Sequence, residues 1–346
     1  MCRFLLYKGK QPILLAHLIT RPKHSIVNQS FDSRLRIDQV RPLNGDGFGV
    51  GWYDSETSHH GQDEVTPCIF TSVTPAWNNV NLVRLAEKIR SPLIFAHVRA
   101  STSGSVSESN CHPWSYGRLM WMHNGGIAQF DKIKRKLQNS LSEELFLFVQ
   151  GNTDSEWAFA LFLSFLSNPK ANTFEHQELK EAMLKTIAQL NSWAEESDIT
   201  EPSLLNFAVT DGESVVCAPS LNVSKTDEAA SLYFSSGTKF ECYRPGHYRM
   251  VKADKREHIV VVASEPLTFE KADWLTIPTN NILVITPKLN VLLQPIKDKF
   301  YTPERGLEHK LGEDEAVIIP DPKAQLFKAK VEEQMRQEAS TTTVCM

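Results

Sequence analysis

Apolar positions along this chain fall into short runs, four to seven residues long, that alternate with polar residues or stand nearly unbroken between turn-forming residues. Read at a period of two, they predict about ten strands. The first is Cys2–Tyr7, stopped by Gly9 and Pro12, and the second is the back half of Asn44–Tyr53, whose front half (Asn44-Gly45-Asp46-Gly47) reads as a turn. Others fall at Cys68–Val73, Leu93–Val98, Leu119–Met122, Leu204–Val209 and Ser214–Cys217, and then at Leu232–Ser236, His258–Ala263 and Ile282–Ile285. Helical spacing appears in Asn78–Arg90, with Val80, Val83, Leu85 and Ile89, and in Phe174–Trp193, with Leu179, Met183, Leu184, Ile187 and Leu190. A third helix, Trp157–Leu166, is opened by Thr153-Asp154-Ser155-Glu156, where Thr153 reads as N-cap and Glu156 as its capping-box partner. Helices gathered in the middle of many short strands indicate an α+β fold rather than alternating βαβ units. Arg21–Leu43 is polar with few periodic apolar positions. From about Pro303 the chain turns charged, so residues 301–346 read as an extension or tail, with a helix near Pro322–Glu338, behind one domain over 2–300.

Composition narrows the function classes. Of 346 residues, 37 are Lys or Arg and 41 Asp or Glu, a net charge of −4, which leaves no electrostatic footprint for a nucleic-acid partner. No apolar run reaches the roughly 18 residues of a membrane helix, and the first residues lack the pattern of a signal peptide. The six cysteines are scattered, without a Cys-x-x-Cys pair, which argues against a disulfide framework. A soluble cytoplasmic protein without a membrane partner is the expectation. Eleven histidines show no His-Glu-x-x-His, and no phosphate loop occurs. The chain is therefore expected to use no metal and no cofactor.

The candidate chemistry begins at Cys2. If Met1 is removed, one residue carries both a nucleophile and a base: a thiol of reference pKa near ~8.5 beside an α-amino group near ~7.7–8.0. The ordinary alternative is a small buried residue opening a strand. Arg99, just past an apolar strand in Ala96-His97-Val98-Arg99-Ala100-Ser101-Thr102, is able to grip a carboxylate with two parallel hydrogen bonds, or to pair with a surface acid. Asn124 and Gly125, in Met122-His123-Asn124-Gly125-Gly126-Ile127, offer an amide and an unhindered backbone N–H, which suits an oxyanion but also suits a plain turn. Asp154 at a helix start could meet a substrate ammonium or simply serve the helix dipole.

Taken in order, these segments resemble the class II glutamine amidotransferases, N-terminal-nucleophile hydrolases built as a four-layer αββα sandwich. The resemblance implies Cys2 as nucleophile, Asn124 and the Gly125 N–H as oxyanion hole, Arg99 and Thr102 on the substrate α-carboxylate, and Asp154 on its α-amino group. It places the domain over residues 2–300, with the core motifs within 2–250. Two departures stand out: Ala100 and Ser103 replace a Trp and a His common in the family. Asn110-Cys111-His112-Pro113-Trp114 reads as a structural loop near the site, because adjacent strand residues such as Cys111 and His112 face opposite ways.

A finer resemblance is carried by Met1-Cys2-Arg3-Phe4-Leu5, Asn28-Gln29-Ser30-Phe31-Asp32-Ser33-Arg34, Asn44-Gly45-Asp46-Gly47-Phe48-Gly49-Val50, Thr74-Pro75-Ala76-Trp77-Asn78-Asn79 and Ser264-Glu265-Pro266-Leu267-Thr268. These look like the amidotransferase-type subunits of fungal DUG glutathione-degradation complexes. That implies a γ-glutamyl peptidase working with a metallopeptidase-like partner subunit and cleaving glutathione to glutamate and cysteinylglycine. The alternatives are a glutamine-dependent subunit passing ammonia to a separate acceptor, a hydrolase of γ-glutamyl intermediates in thiol biosynthesis, and a non-catalytic scaffold that kept the fold.

Overall fold

Alternation decides which way each strand faces. In β1 (Arg3–Leu14), Phe4 and Leu6 enter one apolar cluster while Leu5 and Tyr7 enter another. The computed structural model describes residues 2–32, 43–54, 65–101, 105–221, 231–254 and 256–298. Within them β1 lies at the middle of a seven-stranded sheet ordered β13 (Leu275–Thr276), β9 (Tyr233–Gly237), β12 (Ile259–Ala263), β1, β4 (Arg90–Val98), β2 (Phe48–Trp52) and β3 (Cys68–Ser72). A six-stranded sheet is ordered β15 (Val291–Pro295), β14 (Asn281–Ile285), β8 (Val215–Leu221), β7 (Leu204–Thr210), β6 (Leu119–Gly126) and β5 (Trp114–Tyr116). A separate hairpin pairs β10 (Lys239–Arg244) with β11 (His247–Val251).

The same alternation recurs in both sheets and stacks them. Phe4, Leu6, Phe95, Val260 and Val262 of the first sheet share a cluster with Met120, Met122, Cys217, Leu283 and Ile285 of the second. The opposite face of the first sheet packs on α1 (Ala16–Ile19), α2 (Ile26–Gln29) and α3 (Val80–Ala86) through Leu18, Ile26 and Leu82. The opposite face of the second packs on α4 (Phe130–Ser140), α5 (Glu143–Phe148), α6 (Asp154–Ser164) and α7 (His176–Glu196). The layers are helix, sheet, sheet, helix: the αββα sandwich expected for an α+β chain of this kind. Trp121 anchors the second helix layer, its ring 4.7 Å from Phe207, 5.3 Å from Phe162 and 5.6 Å from Phe159. Apolar on nearly every side, α6 is buried from Ser155 through Leu163, as a helix enclosed by neighbours must be.

Several expectations need correction. Gly9 and Pro12 do not end β1; a register shift between Lys8 and Ile13 absorbs them, and pairing with β4 resumes at Ile13. The helix expected over Asn78–Arg90 shortens to Val80–Ala86, because the Asn79 side chain caps it by accepting from the Leu82 N–H at 2.8 Å and β4 already begins at Arg90. Thr153 does occupy the N-cap of α6, but there is no capping box. Its Oγ1 has no hydrogen-bond partner among the described residues, and Glu156 turns to the preceding loop, accepting from the N–H groups of Gln150 (2.9 Å) and Gly151 (2.7 Å). The polar stretch Arg21–Leu43 contains the short helix α2, capped by Ser25. Residues 301–346, with the expected tail helix, lie outside the described residues, as does Thr102. No helix among the described residues is long and apolar enough to cross a membrane.

Candidate active site

Cys2 continues the Phe4–Leu6 alternation, so it stands at the mouth of the space between the two sheets. Antiparallel pairing of Arg3 with Val98 brings the chain leaving β4 alongside it. The Ala100 N–H donates to Cys2 Sγ at 3.3 Å, and the thiol reaches the Ala100 carbonyl oxygen at 3.5 Å. Burial pushes the Cys2 thiol above its ordinary pKa, against the opposing pull of the Ala100 N–H and of the Arg99 and Arg3 charges. A thiol so placed is protonated near neutral pH and needs a base to become a nucleophile.

Cys2 opens on a cavity also lined by Arg99, Gly125 and Asp154, with Ser101, His112, His123 and Ser155 around them. Four of the residues named from sequence thus converge from three elements: the start of β1, the turn after β4, and the junction of β6 with α6. The Arg99 guanidinium, buried, donates to the Ser105 carbonyl and to Ser101 Oγ, each at 3.3 Å. Asp154 accepts from the Ile127 N–H at 2.7 Å and from its neighbour Ser155 N–H at 2.8 Å, so its carboxylate also ties the end of β6 to the first turn of α6. Cation site and anion site face one cavity, the arrangement a zwitterionic head requires.

Asn124 and Gly125 occupy consecutive positions on β6 but play different geometric parts. Asn124 is buried, on the face of β6 that carries Met120 and Met122, and its Nδ2 donates to Ser264 Oγ at 3.1 Å. Its Oδ1 has no partner among the described residues, and the side chain is not part of the cavity lining. Gly125 does line the cavity, and only glycine fits: a Cβ there would overlap the Leu204 carbonyl oxygen of β7 and lie 2.9 Å from His123 Nε2.

Three histidines that held no catalytic part in the sequence reading surround this site. His123, on the helix side of β6, bonds Ser155 Oγ through Nδ1 at 2.7 Å and the Leu204 carbonyl through Nε2 at 2.9 Å. A carbonyl only accepts, so Nε2 carries the proton, and Nδ1 shares the one Ser155 hydroxyl hydrogen with Asp154 Oδ1, 3.2 Å from Ser155 Oγ. His97 donates from Nε2 to the His123 carbonyl at 3.2 Å, and its ring lies against that of His112, tilted by 32° with centroids 3.9 Å apart. Neither ring nitrogen of His112 has a partner among the described residues. Burial holds all three below the usual histidine range, His97 at about 3. The cluster is neutral at physiological pH. All three sat inside quoted segments, His97 beside Arg99, His123 beside Asn124 and His112 in the loop read as structural near the site, and that placement was the available signal.

Cys111 is a structural residue: its thiol meets the Ser107 carbonyl at 3.5 Å and the Ser72 carbonyl at 3.6 Å, and burial pushes it up to about 11. Among the described residues no group of three or more His, Cys, Asp or Glu side chains is arranged to hold a metal ion.

The family model for class-II glutamine amidotransferases matches residues 24–296. The chain is 55% identical over 313 residues to the probable glutamine amidotransferase DUG3 of Saccharomyces cerevisiae, a match spanning 87% of this chain and 86% of that one. It is 30% identical over 126 residues to the gamma-glutamyl-hercynylcysteine sulfoxide hydrolase of Mycolicibacterium smegmatis, 36% of this chain and 51% of the relative. Among solved structures, a glutamine aminotransferase class-II domain protein from Silicibacter pomeroyi superposes with a TM-score of 0.55 at 22% identity, covering 85% of this chain and 99% of that one. At that identity the likeness is one of fold.

Proposed function

The chain belongs to the class-II glutamine amidotransferase family, and from that membership we propose that it is a γ-glutamyl amide hydrolase with Cys2 as its nucleophile, cleaving glutathione together with a metallopeptidase-like partner subunit. The observation that carries this reading is the convergence of Cys2, Arg99, Gly125 and Asp154 on one cavity. Glutamine and glutathione present the same α-carboxylate and α-ammonium, so a pocket with Arg99 for one charge and Asp154 for the other accepts both. Thr102, which lies outside the described residues, is assigned to the carboxylate beside Arg99.

The reaction then runs in two displacements. Removal of Met1 frees the α-amino group of Cys2, which takes the thiol proton. The sulfur attacks the γ-carbonyl carbon, and the developing oxyanion is assigned to the Gly125 N–H at the cavity wall and, as second donor, to the Asn124 amide, which stands outside the lining before substrate binds. The tetrahedral adduct collapses, the C–N bond breaks, and the amine leaves with the proton returned by the α-ammonium: ammonia from glutamine, cysteinylglycine from glutathione. Water, deprotonated by the same amine, attacks the thioester and releases glutamate with the thiol restored. The raised thiol pKa supports the need for such a base, since no thiolate stands ready.

A second reading has specific support in the likeness to the yeast relative, a probable glutamine amidotransferase. There the ammonia would pass to a separate acceptor protein. The test is turnover of glutamine, glutathione and γ-glutamylcysteine by the chain lacking Met1, alone and with co-purifying proteins. The proposal expects weak glutathione cleavage by the isolated chain and competent cleavage in the complex. Replacing Arg99 or Asp154 with Ala leaves a substrate charge unpaired, at a cost of about 1–3 kcal/mol, and should lower kcat/KM for glutathione and glutamine in parallel. Equal glutathione cleavage with and without partners, or an Arg99→Ala chain that loses only glutamine cleavage, would overturn the proposal.

A further inference from the structure

A nucleophile on the first residue of a mature chain has a structural difficulty. Nothing precedes it, and chain ends fray unless something holds them. In this fold the holding group comes from 260 residues away, in the segment that leaves β12. The Ser264 N–H donates to the Phe4 carbonyl at 3.0 Å, and Ser264 Oγ accepts from the Phe4 N–H at 3.0 Å. Both backbone groups of Phe4 are thereby clamped, two residues from Cys2. The neighbouring Glu265 accepts from Arg3 Nε at 2.6 Å, and the same guanidinium donates to the Cys2 carbonyl at 2.8 Å. His24 Nε2 lies 3.1 Å from the other Glu265 oxygen, and Arg3, His24, Ser264 and Glu265 are all at least 95% buried.

The clamp also reaches the opposite sheet. Ser264 Oγ accepts a second hydrogen bond, from Asn124 Nδ2 at 3.1 Å. An amide side chain has two nearly isosteric ends, and its hydrogen bonds decide which one faces a given direction. Because Ser264 Oγ is bound to the β1 backbone, the bond it takes from Asn124 turns the NH2 end toward the strand that begins with Cys2. That nitrogen keeps one further hydrogen to donate.

We propose that Ser264 and Glu265 are positioning residues for the reaction: Ser264 sets the orientation of the Asn124 donor relative to the nucleophile's strand, and Glu265, through Arg3, fixes the Cys2 carbonyl. The proposal rests on the reading of Cys2 and Asn124 given above. It requires that Ser264 act through Asn124, which makes their losses non-additive.

The experiment uses the full chain without Met1, with glutamine as substrate. Active sites are counted by stoichiometric alkylation of Cys2 with a glutamine-analogue electrophile, so that kcat is expressed per competent site. Ser264→Ala should lower that kcat roughly 10- to 100-fold with KM within about twofold, and Ser264→Thr, which keeps the hydroxyl, should restore most of it. Adding Ser264→Ala to Asn124→Ala should cost nothing further. Glu265→Gln, which keeps the shape of the side chain and is likewise expressed per titrated site, should slow both turnover and Cys2 alkylation. A Ser264→Ala chain with unchanged kcat per titrated site, losses that multiply with those of Asn124→Ala, or a Glu265→Gln chain of unaltered rate would overturn the proposal. Turnover surviving Cys2→Ala would instead overturn the underlying reading, whatever the Ser264 variants do.

Discussion

The neutral histidine cluster predicts an acid-labile fold, and His97 allows the effect to be sized. Its ring is buried, Nε2 is committed to the His123 carbonyl, and the His112 ring lies 3.9 Å away, so a proton on it would find neither water nor an anion. Folded, it titrates at about 3; unfolded, near the ordinary 6.5. For a histidine depressed in this way, the stability is fully present above the unfolded value and is lost as pH falls below it, because only the unfolded chain takes up the proton. Between pH 8 and pH 5 the loss from His97 alone comes to about 2 kcal/mol, out of a total of roughly 5–15 kcal/mol for a typical domain. His112 and His123 push the same way. The buried carboxylates Glu156 and Asp211, raised by burial, push the opposite way, so the comparison must isolate one ring. His97→Gln does so: it keeps an N–H for the His123 carbonyl and cannot titrate. Urea unfolding of both proteins at pH 8 and pH 5 should show the pH-dependent loss shrinking by about 2 kcal/mol in the variant. An identical pH dependence in the two proteins refutes the argument that His97 is held neutral.

Other expectations concern the site directly. Chain that retains Met1, or is acetylated at its terminus, should be folded but inactive, and intact mass of active protein should show Met1 absent; an active Met1-bearing chain contradicts the proposed base. Asn124→Ala should lower kcat by roughly 10²–10³-fold with little change in KM, read by steady-state kinetics; a change mainly in KM would remove Asn124 from the oxyanion hole. Gly125→Ala should destabilise the fold by about 1–3 kcal/mol in urea unfolding and abolish turnover, since its Cβ would overlap the Leu204 carbonyl. Gly126→Ala, whose Cβ would meet only Asp154 Oδ2 at an ordinary 3.8 Å, should fold with stability close to that of the parent chain.

Period-two alternation was enough to place most strands and to orient them. The parity that puts Phe4 and Leu6 in one cluster and Leu5 and Tyr7 in another is a property of residue order, and it sets Cys2 at the inter-sheet face before any contact is known. The same holds for Trp121 and His123, which share a side of β6. The order Cys2, Arg99, Asn124-Gly125, Asp154 likewise pointed to one place, and of these Cys2 ahead of β1, Arg99 behind β4, Gly125 near the end of β6 and Asp154 at the start of α6 line one cavity. Short elements were not legible. In α2 and β5 four and three residues hold too little pattern, and α4 buries only Ile133 and Leu137 of its eleven.

What tertiary structure alone decided is the set of partners between segments distant in sequence. Whether Glu156 would cap its own helix or the preceding loop depended on where the Gln150 and Gly151 N–H groups came to rest. Whether three histidines would be charged depended on their burial together, which no local spacing encodes. Ser264 and Glu265 belong to the same class. Their bonds to Phe4, Arg3 and Asn124 span 260, 262 and 140 residues. Local sequence specifies the direction in which a side chain leaves the backbone, whereas the groups it finally meets are specified only when the two sheets close on each other.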